Sequence, residues 1–303
     1  MDPAALATLR AVRAHGGVTA AAAVRHLTPS AVSQQLAALQ REVGLALTER
    51  VGRGVRLTPA GDALADAALE VAVALERARA ACDAFVASPA GTVTVSAFAS
   101  GAKLLLPGLL DRVAALDGIT VECADEDVAQ DRFVALTDRF DVVVAHRPDG
   151  GPGWGADVVV ERLLREPLDV AVPVDHRLAH AASVAPADLV DVPWIAVREG
   201  FPVARVLDEL TVRTGAEPRV VHRINDFHVV EALVAAGHGV SLLPRYSTRT
   251  GPGSGLRLVP LRDVRAGRLV EALLRPDRAQ RVAVRRVLGE LQTLAAAVGA
   301  STS

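Results

Sequence analysis

Ser30, Gln34, Ala37 and Arg41 recur at steps of four, three and four, which puts them on one face of a helix. That face is short, polar and nearly free of carboxylates. Such a surface suits entry into a DNA major groove: small residues permit close approach, and amides and hydroxyls read base edges. Ser30, Ser33 and Gln34 point outward on this reading, and Gln34 has the bidentate capacity to pair with adenine. The candidate DNA-contacting set is Thr28, Pro29, Ser30, Ser33, Gln34, Gln35 and Arg41, joined by Arg50, Arg53 and Arg56. The last three flank Gly52 and Gly54 in a loop suited to lying along phosphates. For the helix alone, an ordinary solvated face is the competing reading.

A second constellation stands where strands give way to helices. Ligands of open α/β sheets bind at the carboxyl ends of the strands, and four segments should reach that place. These are Phe98-Ala99-Ser100-Gly101, His146-Arg147, Arg198-Glu199-Gly200-Phe201 and Asn225-Asp226-Phe227. Ser100 and the helix start at Gly101 offer hydrogen-bond donors for a carboxylate. Lys103, the chain's only lysine, lies nearby, and Arg147 and Arg198 add positive charge. Phe98, Phe201 and Phe227 could cover an apolar part. The set implies a small organic acid or an amino-acid-like molecule, while Glu199 and Asp226 leave an amine open. Taken singly, each residue is as readily a helix cap or a loop residue. The sequence has no phosphate-binding loop, no paired histidines at metal-ligand spacing and no nucleophile elbow. No enzyme activity, cofactor or metal is expected.

The elements needed to position these groups are legible around them. Thr28 is a good N-cap and Pro29 fits the first helical position, where no N–H is needed. Val32, Leu36, Leu39 and Val43 then form an inward stripe opposite the polar face. Ala5–Ala14 reads as a helix with Leu6, Leu9 and Val12 inward. Thr19 caps a short helix from Ala20 to His26, and Leu27-Thr28 leaves only a tight connection. Two helices so joined, the second with a polar outer face, form a helix-turn-helix. Thr58-Pro59 starts a further helix running to about Ala87. Its seam is Leu64, Ala68, Val71, Leu75, Ala78, Cys82 and Phe85, an a/d heptad pattern that requires a partner helix. Cys82 reads as a small buried hydrophobe of that seam. Beyond Gly91 strands and helices alternate, which indicates parallel α/β structure. Strands are expected at Thr92–Ala97, Asp141–Ala145, Asp169–Pro173 and Trp194–Val197. Helices are expected at Leu104–Leu116, Phe201–Thr214, Asp226–Ala236 and Ala279–Val298.

The ordered series Thr19-Ala20-Ala21-Ala22, Leu27-Thr28-x-Ser30-Ala31-Val32-Ser33-x-Gln35-Leu36, Leu39, Glu42-x-Gly44-x-x-Leu47, Glu49-Arg50, Arg53 and Leu57-Thr58-x-Ala60-Gly61 resembles the LysR-type transcriptional regulators. The resemblance covers the whole chain. It departs at Leu9 and Thr48, where the family usually has Phe, and at Gln34 and Ala37, where basic residues are common. It implies a winged helix-turn-helix over 1–58, a linker and dimerisation helix over 59–90, and an α/β effector-binding domain over 91–303. That domain would have two Rossmann-like subdomains like those of periplasmic solute-binding proteins, I at 91–167 and 264–303, II at 168–263, hinged by two crossovers. The segments around Ser100, His146, Arg198 and Asn225 would line an effector pocket between them. Promoter DNA, a small-molecule effector and a second copy of the chain, with pairing of dimers into tetramers, are the implied partners; RNA polymerase is left open.

Composition fits. Residues 1–58 hold seven arginines against Asp2, Glu42 and Glu49, a charge of +4 in a chain whose total is −2. A basic end on an acidic body is the footprint of a DNA-binding domain. Two cysteines, Cys82 and Cys123, imply a reducing compartment and no disulfide framework. No apolar run reaches the roughly 18 residues that span a bilayer, and no signal peptide is apparent, so a cytoplasmic protein without membrane contact is expected. Two rivals stand beside the regulator. One is an α/β binding protein or enzyme whose N-terminal helices are only a dimerisation arm; the other is a regulator controlled by oxidation of the cysteines.

Overall fold

The computed structural model describes residues 1–52, 54–83, 90–201 and 203–300. The roles expected of Arg53 and Phe85, and the helix end expected near Ala87, lie outside the described residues.

The chain opens with α1 (Pro3–His15), α2 (Val18–Arg25) and α3 (Pro29–Val43). Asp2 caps α1 by accepting from the Ala4 N–H. Gly17, not Thr19, is the cap residue of α2, and its carbonyl accepts from Ala21 N at 3.0 Å. Glycine tolerates the unusual backbone there (φ 154°), so the helix starts earlier and Thr19 falls inside its first turn. His26 takes the left-handed conformation (φ 53°), which makes the turn into α3 tight. Thr28 caps α3, its Oγ1 accepting from Ala31 N at 3.2 Å.

The segment expected as an arginine-rich loop is a hairpin of β1 (Thr48–Val51) and β2 (Gly54–Leu57), paired antiparallel. Gln40 fixes it to α3: its Oε1 accepts from Leu47 N at 2.9 Å and from Thr48 N at 3.2 Å. Leu9, Val12, Val32, Leu39 and Leu47 form the core beneath. Leu9 is fully buried, so aliphatic packing fills the place of an aromatic ring.

Next comes α4 (Pro59–Asp83), 25 residues or about 37 Å long. Gly61 crosses so close to β1 that a Cβ there would lie 2.0 Å from the Leu47 carbonyl oxygen. The seam of α4 divides. Leu64 and Ala68 pack into their own domain's core, because α4 leans on α1. Val71, Leu75, Ala78 and Cys82 lie beyond that support and are wholly or partly exposed. Cys82 is therefore exposed in one chain, where the seam has no partner helix.

The remainder comprises β3 (Gly91–Ala97), α5 (Ala99–Val113), β4 (Ile119–Asp125), α6 (Phe133–Leu136), β5 (Val142–Pro148), β6 (Val159–Pro173), β7 (Pro193–Ala196), α7 (Ala204–Thr214), β8 (Arg219–Arg223), α8 (Phe227–Ala235), β9 (Ser241–Pro244), β10 (Leu256–Val259), β11 (Gly267–Leu274) and α9 (Val282–Ala300). The sheets are mixed rather than parallel. β3 pairs parallel with β4 and β5, and β7 with β8, whereas β11 runs antiparallel to β5 and β6, and β6 to β9 and β10. β6 joins the two halves. Residues 159–167 pair with β11 and residues 168–173 with β9 and β10. Its first half alternates exposed and covered positions, whereas its second, flanked on both edges, is largely buried. Two cores result. One joins β3, β5 and β11 to α5 and α9; the other gathers Leu168, Val170, Trp194, Val206 and Leu242.

The N-terminal helices touch the first core's domain in the same chain. Arg10 lies 3.6 Å from Asp277 and His15 Nε2 lies 3.2 Å from Asp138, while Arg77 of α4 donates to Gln280 at 3.4 Å. Burial lowers the Arg10 pKa, and Arg275 adds to the effect. Burial pushes Asp277 up, but the hydrogen bond and charge of Arg275 outweigh it and leave its pKa below the ordinary value.

Candidate DNA-facing helix and ligand cleft

Along α3, Ser30, Ser33, Gln34, Ala37 and Arg41 are all exposed, as is Pro29. Part of this surface is pre-ordered. The Ser30 and Thr28 hydroxyls are 2.9 Å apart, Ser33 donates to the Pro29 carbonyl at 2.9 Å, and Arg41 Nε donates to the Ala37 carbonyl at 3.3 Å. Among the described residues Gln34 carries no such tie. Gln35 turns inward instead: its Oε1 accepts from the buried Thr8 hydroxyl at 2.5 Å, which ties α3 to α1. On the hairpin Arg50 is exposed, while Arg56 pairs with Glu49 at 2.9 Å. Among the described residues neither Arg41 nor Arg50 pairs with a carboxylate, which leaves both for phosphates.

A cavity of about 510 Å³ opens between the two α/β cores, within the range of small-molecule sites. The first core's side supplies Phe98, Ser100, Lys103, Asp127, His146 and Arg268; the other side supplies Arg198, Phe201, Asn225, Asp226, Phe227 and Ser247, among others. Gly101 lies beneath this lining. The Phe98 ring folds over it so closely that a Cβ would meet the ring at 2.6 Å. Asn225 steadies the opposite wall by accepting from Arg198 N at 2.8 Å.

The floor is an ionic pair. Arg268, 1% exposed, donates to Glu166 Oε2 from Nε at 2.9 Å and from Nη2 at 2.6 Å, and also to Ser100 Oγ at 2.8 Å. Its guanidinium lies 4.7 Å from the Phe98 ring centre. Beside it, burial and then the Arg268 charge hold His146 well below the ordinary imidazole range, so the ring is neutral. Among the described residues His146 Nδ1 and Ser247 Oγ are buried without hydrogen-bond partners, and both residues line the cavity.

Besides Gly101, two expected residues, Arg147 and Glu199, are not in this lining. Arg147 holds Glu271 through two hydrogen bonds of 2.8 and 3.0 Å, and Trp154 Nε1 joins them at 2.6 Å. Glu199 pairs with Arg223 at 3.4 Å and faces a neighbouring cavity beside Trp154.

The family model described as "LysR substrate binding domain" matches residues 87–296, and that described as "Bacterial regulatory helix-turn-helix protein, lysR family" matches residues 3–62. The chain belongs to the LysR family. It is a transcriptional regulator with a helix-turn-helix and an effector-binding domain. This LysR-family chain is 28% identical over 230 residues to the HTH-type transcriptional regulator IlvY of Escherichia coli (strain K12), covering 75% of the chain and 76% of the relative. Its fold matches a full-length, singly substituted OxyR from Pseudomonas aeruginosa with a TM-score of 0.67 at 21% identity, over 96% of this chain and 98% of the other. It matches full-length CbnR in complex with its target DNA with a TM-score of 0.55 at 23% identity, over 97% and 100%.

In this LysR-family regulator both cysteines are free and exposed. Cys123 lies within β4, and partial desolvation by its surroundings raises its pKa, away from the reactive thiolate. Among the described residues, no helix is long and apolar enough to cross a membrane. Sequence reading misses Arg268, Asp127 and Ser247. Arg268 sits in a wholly buried, largely apolar strand, Gly267–Leu274, where a cation signals a paired group; that is the available clue.

Proposed function

We propose that this LysR-family regulator acts in the cytoplasm as a homodimer on promoter DNA, with occupancy of the cleft setting its DNA affinity. The domains on this reading are 1–58, 59–90 and 91–303, and no catalysis is assigned to the chain. The dimer would form along Val71, Leu75, Ala78 and Cys82, and pairing of dimers would follow from the same symmetry. Its recognition elements would be the exposed face of α3 with Arg41 and Arg50; CbnR, which shares the fold, is known bound to its target DNA.

The observation that carries the effector reading is the cleft itself. His146 and Ser247 line it, and each carries a buried polar atom that no described residue meets; such atoms cost free energy until a partner meets them. The cleft lies between two cores joined by β6 and the segment before β11, so a ligand touching both walls favours one closure over another. The test is thermal melting of the full-length protein against a panel of metabolic acids and amino acids, followed by DNA binding with any compound that raises the melting temperature. Ser100→Ala with Arg198→Ala should keep DNA affinity and lose the response. A double variant that still responds fully would put the effector site elsewhere.

A further inference from the structure

The cleft carries groups of both signs. Ser100 stands at the uncapped start of α5. Because Arg268 donates to its oxygen, its own proton is directed to another acceptor. That end suits a carboxylate. The opposite requirement comes from Asp127, in the loop after β4, and Asp226, the cap of α8, which line the same cavity from its two sides. Among the described residues no arginine or lysine pairs with either. Asp226 spends one oxygen on the His228 N–H at 2.9 Å. Burial raises the Asp127 pKa, Arg268 opposes this, and Asp125 and Asp226 add to it; no cation pairs with the carboxylate directly. His146, neutral and buried, supplies none. A plain carboxylate would meet two acids that no arginine or lysine pairs with among the described residues, and a plain amine would leave the Ser100 end unused.

We propose that the cleft takes an α-amino acid with an apolar side chain. The ammonium lies between Asp127 and Asp226, the carboxylate lies at Ser100, and the side chain lies against Phe201 and Phe227. The proposal rests on the cleft reading above and specifies the ligand class. Bound this way, the zwitterion gives the orphaned His146 Nδ1 and Ser247 Oγ polar neighbours and bridges the two walls.

The test is calorimetric titration of the full-length protein with L-leucine, L-methionine and L-phenylalanine. Each is compared with its deaminated acid and its decarboxylated amine. At least one amino acid should bind about tenfold or more tighter than both of its fragments. Asp127→Asn, an isosteric change, should remove that advantage by weakening the amino acid while the acid binds as tightly as before or more tightly, since one repelling carboxylate is gone. Ser100→Ala should weaken amino acid and acid alike. If the acids bind as tightly as the amino acids and still respond to Ser100→Ala, the ammonium site is refuted and the cleft stands. Amino-acid binding indifferent to both variants would refute the cleft as well. If no probe binds, the zwitterion assignment is wrong, and the cleft reading falls to the metabolite panel.

Discussion

Arg268 Nη2 lies 2.8 Å from the hydroxyl of Ser100 while the same guanidinium is held by Glu166, so the cavity-facing start of α5 is braced by β11, itself held by β6, the strand that crosses between the two cores. Both charged partners are essentially inaccessible. Breaking such a pair leaves an uncompensated buried charge and costs about 3–5 kcal/mol, whereas an apolar replacement of both is near neutral. Glu166→Gln should therefore lower unfolding free energy by about that amount in urea, and Glu166→Leu with Arg268→Met should recover most of it. A single variant as stable as the parent would show that the pair contributes nothing.

His146 makes a pH prediction. Its folded pKa is depressed by burial, so the unfolded chain binds the proton more readily. Stability is fully present above the unfolded value of about 6.5 and falls as pH drops below it, by up to about 1.4 kcal/mol at pH 5.5. His176 is shifted in the same direction, so the comparison must be with His146→Gln. Melting curves of that variant at pH 7.5 and 5.5 should differ less than those of the parent. Equal differences would remove His146 from the account.

The contact between α1 and the effector domain makes a third. Asp277 faces Arg10 at 3.6 Å and takes two hydrogen bonds from Arg275, each 2.7 Å. Asp277→Ala leaves both cations short of a partner, costing about 1–3 kcal/mol. Hydrogen exchange should quicken in α1 and stay unchanged in α5. Unaltered exchange in α1 would mean that the contact does not hold the domains.

Much of the N-terminal domain is legible in the sequence because its determinants are local. Thr28, Pro29 and the alternating faces of α3 are all read from a short window, and the structure keeps them. Gln35 escapes such a reading because its partner, Thr8, comes from another helix. His146 and Arg147 are neighbours in sequence, yet a strand sends neighbours to opposite faces; His146 enters the cleft and Arg147 meets Glu271. The pairing of Glu166 with Arg268 is invisible for a further reason. Their meeting depends on the register of β6 against β11, which no short-range pattern records. The full length of β6 is hidden because its first half alternates and its second is continuously covered.

The exposed half of the α4 seam supplies a fourth prediction. Val71 and Leu75 remain 41% and 40% exposed in one chain, which a partner helix would cover. Leu75→Asp should convert a dimer into a monomer in sedimentation at micromolar concentration and abolish DNA binding with it. A parent protein that sediments as a monomer would refute the proposed assembly.

The central claim is sequence-specific DNA binding through the outer face of α3, and anisotropy titration at fixed salt tests it most directly. The parent and Gln34→Ala are each titrated against the DNA upstream of the protein's own coding sequence and against a scrambled duplex. The parent should prefer the upstream DNA by about a thousandfold or more, and Gln34→Ala should lose about 1–3 kcal/mol on that DNA with little change on the scrambled one. Equal affinity of the parent for the two duplexes would contradict the account.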